Sequence, residues 1–202
     1  MSKLISGLEM SPNSQSELGI AIDALKSGGI AVFPTDTVYG IGVAVRYADS
    51  PNAIYAAKRR DMGKPIAWLV GGVDALAEYG VDVPEVAIDL AKHHWPGALT
   101  VIVKAGSAVP RPFQSACGTI GLRMPASETA LALVRAVDPI ATSSANVSGT
   151  SDSGSLLRVD RGLLAIADAV VEGAEVPSGV ASTVVDCSGG DVVVLRQGGV
   201  VL

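Results

Sequence analysis

The feature that most constrains this chain is a series of short apolar runs, each closed by Gly, Pro or a charged residue. Runs at 30–33, 41–45, 66–70, 98–104, 119–124, 139–142, 169–171, 182–186 and 192–196 have the length of buried strands. Between the earlier ones lie helical patterns. Leu18, Ile20, Ala21, Ile22 and Leu25 approximate a helical stripe over 16–26, ended by Gly28-Gly29. Ser50-Pro51 reads as a helix start, with Ser as cap and Pro at the first helical position, and that helix runs towards Lys58 and stops near Asp61-Met62-Gly63. Helices are also expected over 73–79, 84–94 and 127–137. Ser127 caps the last, and Glu85 and Glu128 sit near positive helix ends. The stretches 109–118 and 150–155 read as loops. Strands interleaved with helices imply an α/β domain, and the strand-rich last third implies a mixed sheet.

Composition narrows the class. Of 202 residues, 49% are hydrophobic and 17% charged, which describes a globular chain with a substantial core. The length suits one domain, 1–202 with a core over about 16–196, and no repeat or linker divides it. Mean hydropathy is high at +0.42, yet no apolar run reaches the length of a membrane helix. The N-terminus lacks a signal-peptide core, and Cys117 and Cys187 form no metal-type pair. A cytoplasmic location without membrane contact is expected. The net charge of −5 argues against a large nucleic-acid-binding face.

There is no Walker loop, no G-x-G-x-x-G, no H-E-x-x-H and no G-x-S-x-G elbow. Three clusters remain. Thr35-Asp36-Thr37-Val38-Tyr39-Gly40 follows a strand and offers hydroxyls to a small ligand, although spacing alone favours a plain turn. Lys58-Arg59-Arg60 and Lys64 put four cations within seven residues, enough to attract a triphosphate or simply to solvate a helix end. At a fraying helix end, Lys58 and Arg60 could both turn towards one pocket. Thr142-Ser143-Ser144-Ala145-Asn146-Val147-Ser148-Gly149 follows an apolar strand as a donor-rich loop that could wrap oxyanions or merely form a capping turn. Arg123 ends an apolar strand, so it requires an anionic ligand or a buried carboxylate partner. Arg196 could cover the site. Asp36 is a possible metal partner. His93 and His94 read as helix-end surface or packing residues.

Together the segments PTDTVYGIG, AKRRDMGKPI, WPGALTVIV, GTIGLRMP, ATSSANVSG, ASTVVD and VLRQG resemble the YrdC family of threonylcarbamoyl-AMP synthases. The resemblance covers about 16–196. It implies a YrdC-like single α/β domain, with a twisted mixed sheet flanked by helices and a large concave basic cavity. The implied reaction joins L-threonine, bicarbonate and ATP into threonylcarbamoyl-AMP and pyrophosphate. A downstream transferase would use that product to modify tRNA. The family's Lys-x-Arg and Ser-x-Asn elements fall on Lys58, Arg60, Ser144 and Asn146, the implied catalytic set. Thr35, Arg123, Thr142 and Ser182 would hold threonine. Lys58, Arg60, Lys64, Thr119, Ser144 and Arg196 would meet ATP, with Mg²⁺ accompanying the nucleotide and no protein metal set.

The chain departs from the family pattern in places. Lys64 precedes Pro65 where Asn is common, Leu69 replaces a common histidine, and Asp152-Ser153-Gly154 stands where Ser-Pro-Thr is frequent. The chain ends soon after Arg196, so a form without the extra C-terminal domain of longer members is expected. Rival readings are a carbamoyl-AMP-handling module like that of hydrogenase maturation proteins, an RNA-binding module, and a degenerate regulatory homologue. The RNA reading meets an acidic chain poor in aromatics for stacking.

Overall fold

The computed structural model describes residues 12–146 and 154–202, with side chains from Ser16 onward. The strand-type runs become β1 (Ala31–Phe33), β2 (Gly40–Ala44), β3 (Ala67–Leu69), β4 (Leu99–Lys104), β5 (Thr119–Arg123), β6 (Ile140–Ser144), β7 (Ala169–Val170), β8 (Thr183–Asp186) and β9 (Val193–Arg196). All nine join one sheet in the order β7-β1-β2-β6-β3-β5-β4-β8-β9. β1–β7, β3–β5 and β4–β8 pair parallel, and the other neighbours pair antiparallel. The sheet is therefore mixed, as the strand-rich last third implied. The helices are α1 (Pro12–Lys26), α2 (Asn52–Lys58), α3 (Ala75–Tyr79), α4 (Glu85–His94), α5 (Glu128–Val137) and α6 (Arg161–Ile166). No helix among the described residues is long and apolar enough to cross a membrane.

Because side chains alternate along a strand, the register sorts the sheet into two faces. Ile41, Val43, Trp68, Val101, Val103, Leu122, Ala141 and Val185 belong to one apolar cluster. Ile54 of α2, Leu76 and Tyr79 of α3, Ala87 and Ala91 of α4 and Leu163 of α6 join the same cluster. The intervening strand residues point the other way. Ala31, Phe33, Ala44, Leu69 and Ile140 pack with Ala21 and Leu25 of α1 and with Ala130, Leu133, Val134 and Val137 of α5. Each fully buried Leu or Phe here contributes about 1.5–3 kcal/mol. The cover of α1 and α5 stops near β3. Beyond it, Ala67, Gly121, Ile102, Thr100 and Val184 line a cavity on that same face.

Three local expectations change. α1 begins at Pro12 rather than at 16. Ser50 does not cap α2 in the expected way. Pro51 takes the cap position with φ −80° and ψ 10°, and the Ser50 hydroxyl reaches only the Asn52 amide, at 3.4 Å. α6 and the 3₁₀ turns Arg111–Phe113 and Leu156–Arg158 escape the sequence reading because they are too short to show a full apolar stripe. The Ser127 cap does form, accepting from the Ala130 amide at 3.1 Å. Residues 150–153 of the expected polar loop, Asp152 among them, lie outside the described residues.

Candidate active site

The site begins where α2 stops, at Lys58 rather than near the expected 61–63. Arg59 follows Lys58 in the left-handed conformation, with φ 49°. Its amide donates to Ala56 O, and the Arg60 amide donates to Tyr55 O at 2.9 Å. These are the paired bonds of a Schellman ending, usually built with glycine. Holding a non-glycine residue there costs about 1–2 kcal/mol. The reversal sends Lys58 and Arg60 in different directions. Lys58 is 1% exposed and is absent from the cavity lining. Its ammonium donates to the Ser144 carbonyl, and to Ser144 Oγ and Asn146 Oδ1 at 3.3 Å each. Ser144 Oγ donates in turn to Asn146 Oδ1 at 2.6 Å. Lys58 thus grips the loop that leaves β6.

Arg60 does reach the cavity. Its Nε donates to Lys64 O at 3.3 Å and its Nη2 to Pro65 O at 3.0 Å. Burial, with the Arg196 charge adding to it, lowers the Arg60 pKa. Arg196 anchors on the far side, donating from Nε to Ser182 O at 3.0 Å and from Nη2 to Ser182 Oγ at 3.2 Å. Ser182 Oγ also shares a hydrogen bond with Thr100 Oγ1 at 2.9 Å. Lys64 itself is exposed and does not line the cavity; its carbonyl accepts from Tyr55 OH at 3.0 Å.

The turn after β1 forms the hydroxyl-rich end. Thr35 Oγ1 donates to Val38 O at 2.7 Å and accepts from the amides of Thr37 and Val38 at 3.2 Å each. The plain turn expected from spacing is thus present, and the same turn faces the cavity through Thr35 and Thr37. Arg123 closes this end. It donates from Nε to Gly97 O at 2.9 Å, from Nη1 to Thr37 Oγ1 at 2.9 Å and from Nη2 to Asp36 Oδ1 at 2.6 Å. Of the two partners the sequence allowed, the structure supplies a carboxylate, the half-buried Asp36. Burial lowers the Arg123 pKa and Asp36 offsets part of that effect. Asp36, a possible metal partner by sequence, instead accepts from Arg123 and from the Ala126 amide at 3.1 Å.

The cavity between these parts measures about 320 Å³. Thr35, Arg60, Thr119, Arg123, Thr142, Ser144, Ser182 and Arg196 all line it. Lys58, Asn146 and Lys64 do not. Among the described residues, its lining includes three arginines and no carboxylate. Leu69 puts an apolar side chain on the wall. Among the described residues, no group of three or more His, Cys, Asp or Glu is arranged to hold a metal ion. His93, exposed on α4, pairs its Nδ1 with Asp89 O at 2.7 Å.

The floor is the part sequence reasoning missed. Thr142 pairs with Ala67 across β6 and β3, and Gly121 pairs with Ile102 across β5 and β4. Thr100 and Val184 continue the surface, with Val184 opposite Arg196. A Cβ on Gly121 would approach Thr100 Cγ2 at 3.3 Å. The available signal was Thr100 and Gly121 interrupting otherwise apolar strands.

The family model Sua5_yciO_yrdC, described as "Telomere recombination", matches residues 23–198. The chain belongs to the Sua5/YciO/YrdC family. Among its relatives, the threonylcarbamoyl-AMP synthase of Bacillus subtilis is 35% identical over 195 residues, covering 95% of this chain and 56% of that protein. The crystal structure of Pyrococcus abyssi Sua5 complexed with L-threonine matches with a TM-score of 0.85 and 34% identity, covering 92% of this chain and 55% of that one. Escherichia coli YciO matches with a TM-score of 0.82 and 26% identity, covering 93% and 91%. This Sua5/YciO/YrdC chain thus spans about half the length of the Bacillus and Pyrococcus proteins. The mixed, helix-flanked sheet is the fold of these neighbours.

Proposed function

We propose that the chain is an L-threonylcarbamoyladenylate synthase, a nucleotidyltransferase acting on L-threonine, bicarbonate and ATP. The observation that carries this reading is one open cavity lined by threonine and serine hydroxyls and by three arginines. Thr37 holds Arg123, and Ser182 holds Arg196, whose charge also reaches Arg60. Hydroxyls beside a fixed guanidinium suit a hydroxylated amino acid. Paired arginines suit phosphates.

In this reading the threonine amine forms an N–C bond to the carbon of bicarbonate, and water leaves. One oxygen of the resulting carbamate attacks the α-phosphorus of ATP, the bond to the bridging oxygen breaks, and pyrophosphate departs. Both reactants are anionic, so positioning and charge neutralisation dominate the work. Thr35, Thr142, Ser182 and Arg123 hold threonine, with Arg123 on its carboxylate. Arg60, Arg196, Thr119 and Ser144 contact the nucleotide, and Lys64 adds charge outside the wall. Lys58 and Asn146 act by shaping the Ser144 loop. Mg²⁺ would arrive on the triphosphate, because Asp36 is already committed to Arg123. The product would pass in the cytoplasm to a transferase that modifies tRNA. The net charge of −5 argues against a large RNA-binding face on this chain.

The test is pyrophosphate release from ATP with and without threonine and bicarbonate. Release that requires both is expected. Arg60→Ala should cut kcat/KM by about a hundredfold or more, about 3 kcal/mol of transition-state stabilisation. Release independent of threonine, or a folded Arg60→Ala variant of normal rate, would remove the reading.

A further inference from the structure

We propose that Asp36 is a positioning residue for ligand carboxylates: it fixes the Arg123 guanidinium so that the remaining N–H groups point into the cavity. This deepens the threonine reading and rests on it. A guanidinium has five N–H donors. Three are accounted for by Gly97 O, Thr37 Oγ1 and Asp36 Oδ1. One N–H on each terminal nitrogen is left, which is the pattern a carboxylate accepts in bidentate fashion. The Arg123 side chain is 8% exposed and the Asp36 side chain 17%. Arg123 lines the cavity, whereas Asp36 does not. The carboxylate therefore grips the guanidinium from behind.

Asp36 is itself fixed by the protein. Its carboxylate accepts from the Ala126 amide at 3.1 Å, just before α5. Its carbonyl accepts from the Ser178 amide at 3.0 Å, and the next carbonyl, of Thr37, accepts from Gly179 at 2.7 Å. Three separate segments thus meet at this turn, and the 178–179 segment leads directly to Ala181 and Ser182 in the cavity wall. Without Asp36, a long arginine side chain would regain rotamer freedom and would have to be ordered again by each ligand. Asp36 also keeps a nearly buried cation from standing unpaired when the cavity holds no ligand.

The test compares Asp36→Ala with Asp36→Asn in the full chain. Asparagine keeps an oxygen that can accept from Arg123 and Ala126, whereas alanine keeps neither bond. Asp36→Ala is expected to raise the threonine KM about tenfold, leave the ATP KM within about twofold, and change kcat less than KM. Asp36→Asn should bring the threonine KM back to within about threefold of wild type. A folded Asp36→Ala variant with the wild-type threonine KM, or one whose threonine and ATP KM values rise together, would overturn the proposal. Should Asp36→Ala unfold, Thr37→Val decides. It keeps the volume but removes the other side-chain anchor of Arg123, and an unchanged threonine KM there would overturn the proposal. Wild-type titration with L-threonine separates the two claims. Wild-type protein that binds no threonine defeats the functional reading itself, whereas binding with normal Asp36 variants defeats only the role of Asp36.

Discussion

One face of the sheet is used in two opposite ways. Over β7, β1 and the Ala44, Ile140 and Leu69 ends of β2, β6 and β3 it is sealed by α1 and α5, with Phe33, Leu69, Ile140, Leu133 and Val134 in a single apolar cluster. Over β5, β4 and β8 the same face carries Gly121, Ile102, Thr100 and Val184 and remains a cavity. The backbone pairing is continuous across the boundary, so the difference lies in the side chains and in what covers them. Small and hydroxylated residues do not bury enough apolar area to recruit a helix, and they leave room for a ligand. Thr142 and Leu69 mark the seam. Thr142 shares β6 with the fully buried Ile140 yet lines the cavity. Leu69 belongs both to the apolar cluster and to the wall.

The comparison predicts that the two halves respond differently to damage. Leu133→Ala, in the sealed half, should cost about 2–5 kcal/mol of stability by denaturant unfolding, because it leaves a void beneath α5. At a temperature where the variant is folded, its threonine KM should stay near wild type. A large loss of threonine affinity would show that the halves are not independent. Arg60→Ala should behave in the converse way, with normal stability and lost turnover. The smallest effect is expected at Tyr39, whose hydroxyl donates to Glu172 O, just beyond β7, at 2.6 Å. Burial, followed by the Glu172 charge, raises its pKa from 10.0 to about 12. The unfolded chain then loses this proton before the folded chain does, so stability falls as pH rises through that interval. Below pH 10 the contribution is fully present. Melting temperatures of wild type and Tyr39→Phe should diverge least above pH 12, and a wild-type decline unchanged by the substitution would show that another group titrates.

Much of this architecture was legible because its determinants are local. Apolar runs bounded by Gly and Pro marked all nine strands, and Ser127 marked the start of α5. The strand order was not legible. β7 beside β1 and β8 beside β4 are parallel pairings reached by long connections, and no local pattern encodes them. α6 was missed because Arg161–Ile166 is a single short helix. In the site, clusters of unlike chemistry such as Thr35, Arg60 and Arg123 stood out. Thr100, Ala67 and Gly121 are ordinary strand residues until the register places them on one face. Lys58 shows another limit: its residue type indicated a cation near the site, but only the fold brings its ammonium to Ser144 and Asn146. Asp36 likewise looked like a possible metal partner, and only the fold brings it to Arg123.

If threonine binds over the uncovered half of the face, filling that half from its floor should displace it. Gly121→Val adds methyl groups beside Thr100 and Ile102, whose nearest side-chain atoms lie 3.3 and 3.5 Å from a Cβ placed there. Calorimetric titration with L-threonine should show binding to wild type. The Gly121→Val variant, with its melting temperature preserved, should show binding weakened by about tenfold or more. Undiminished threonine binding to a folded Gly121→Val variant would contradict the account.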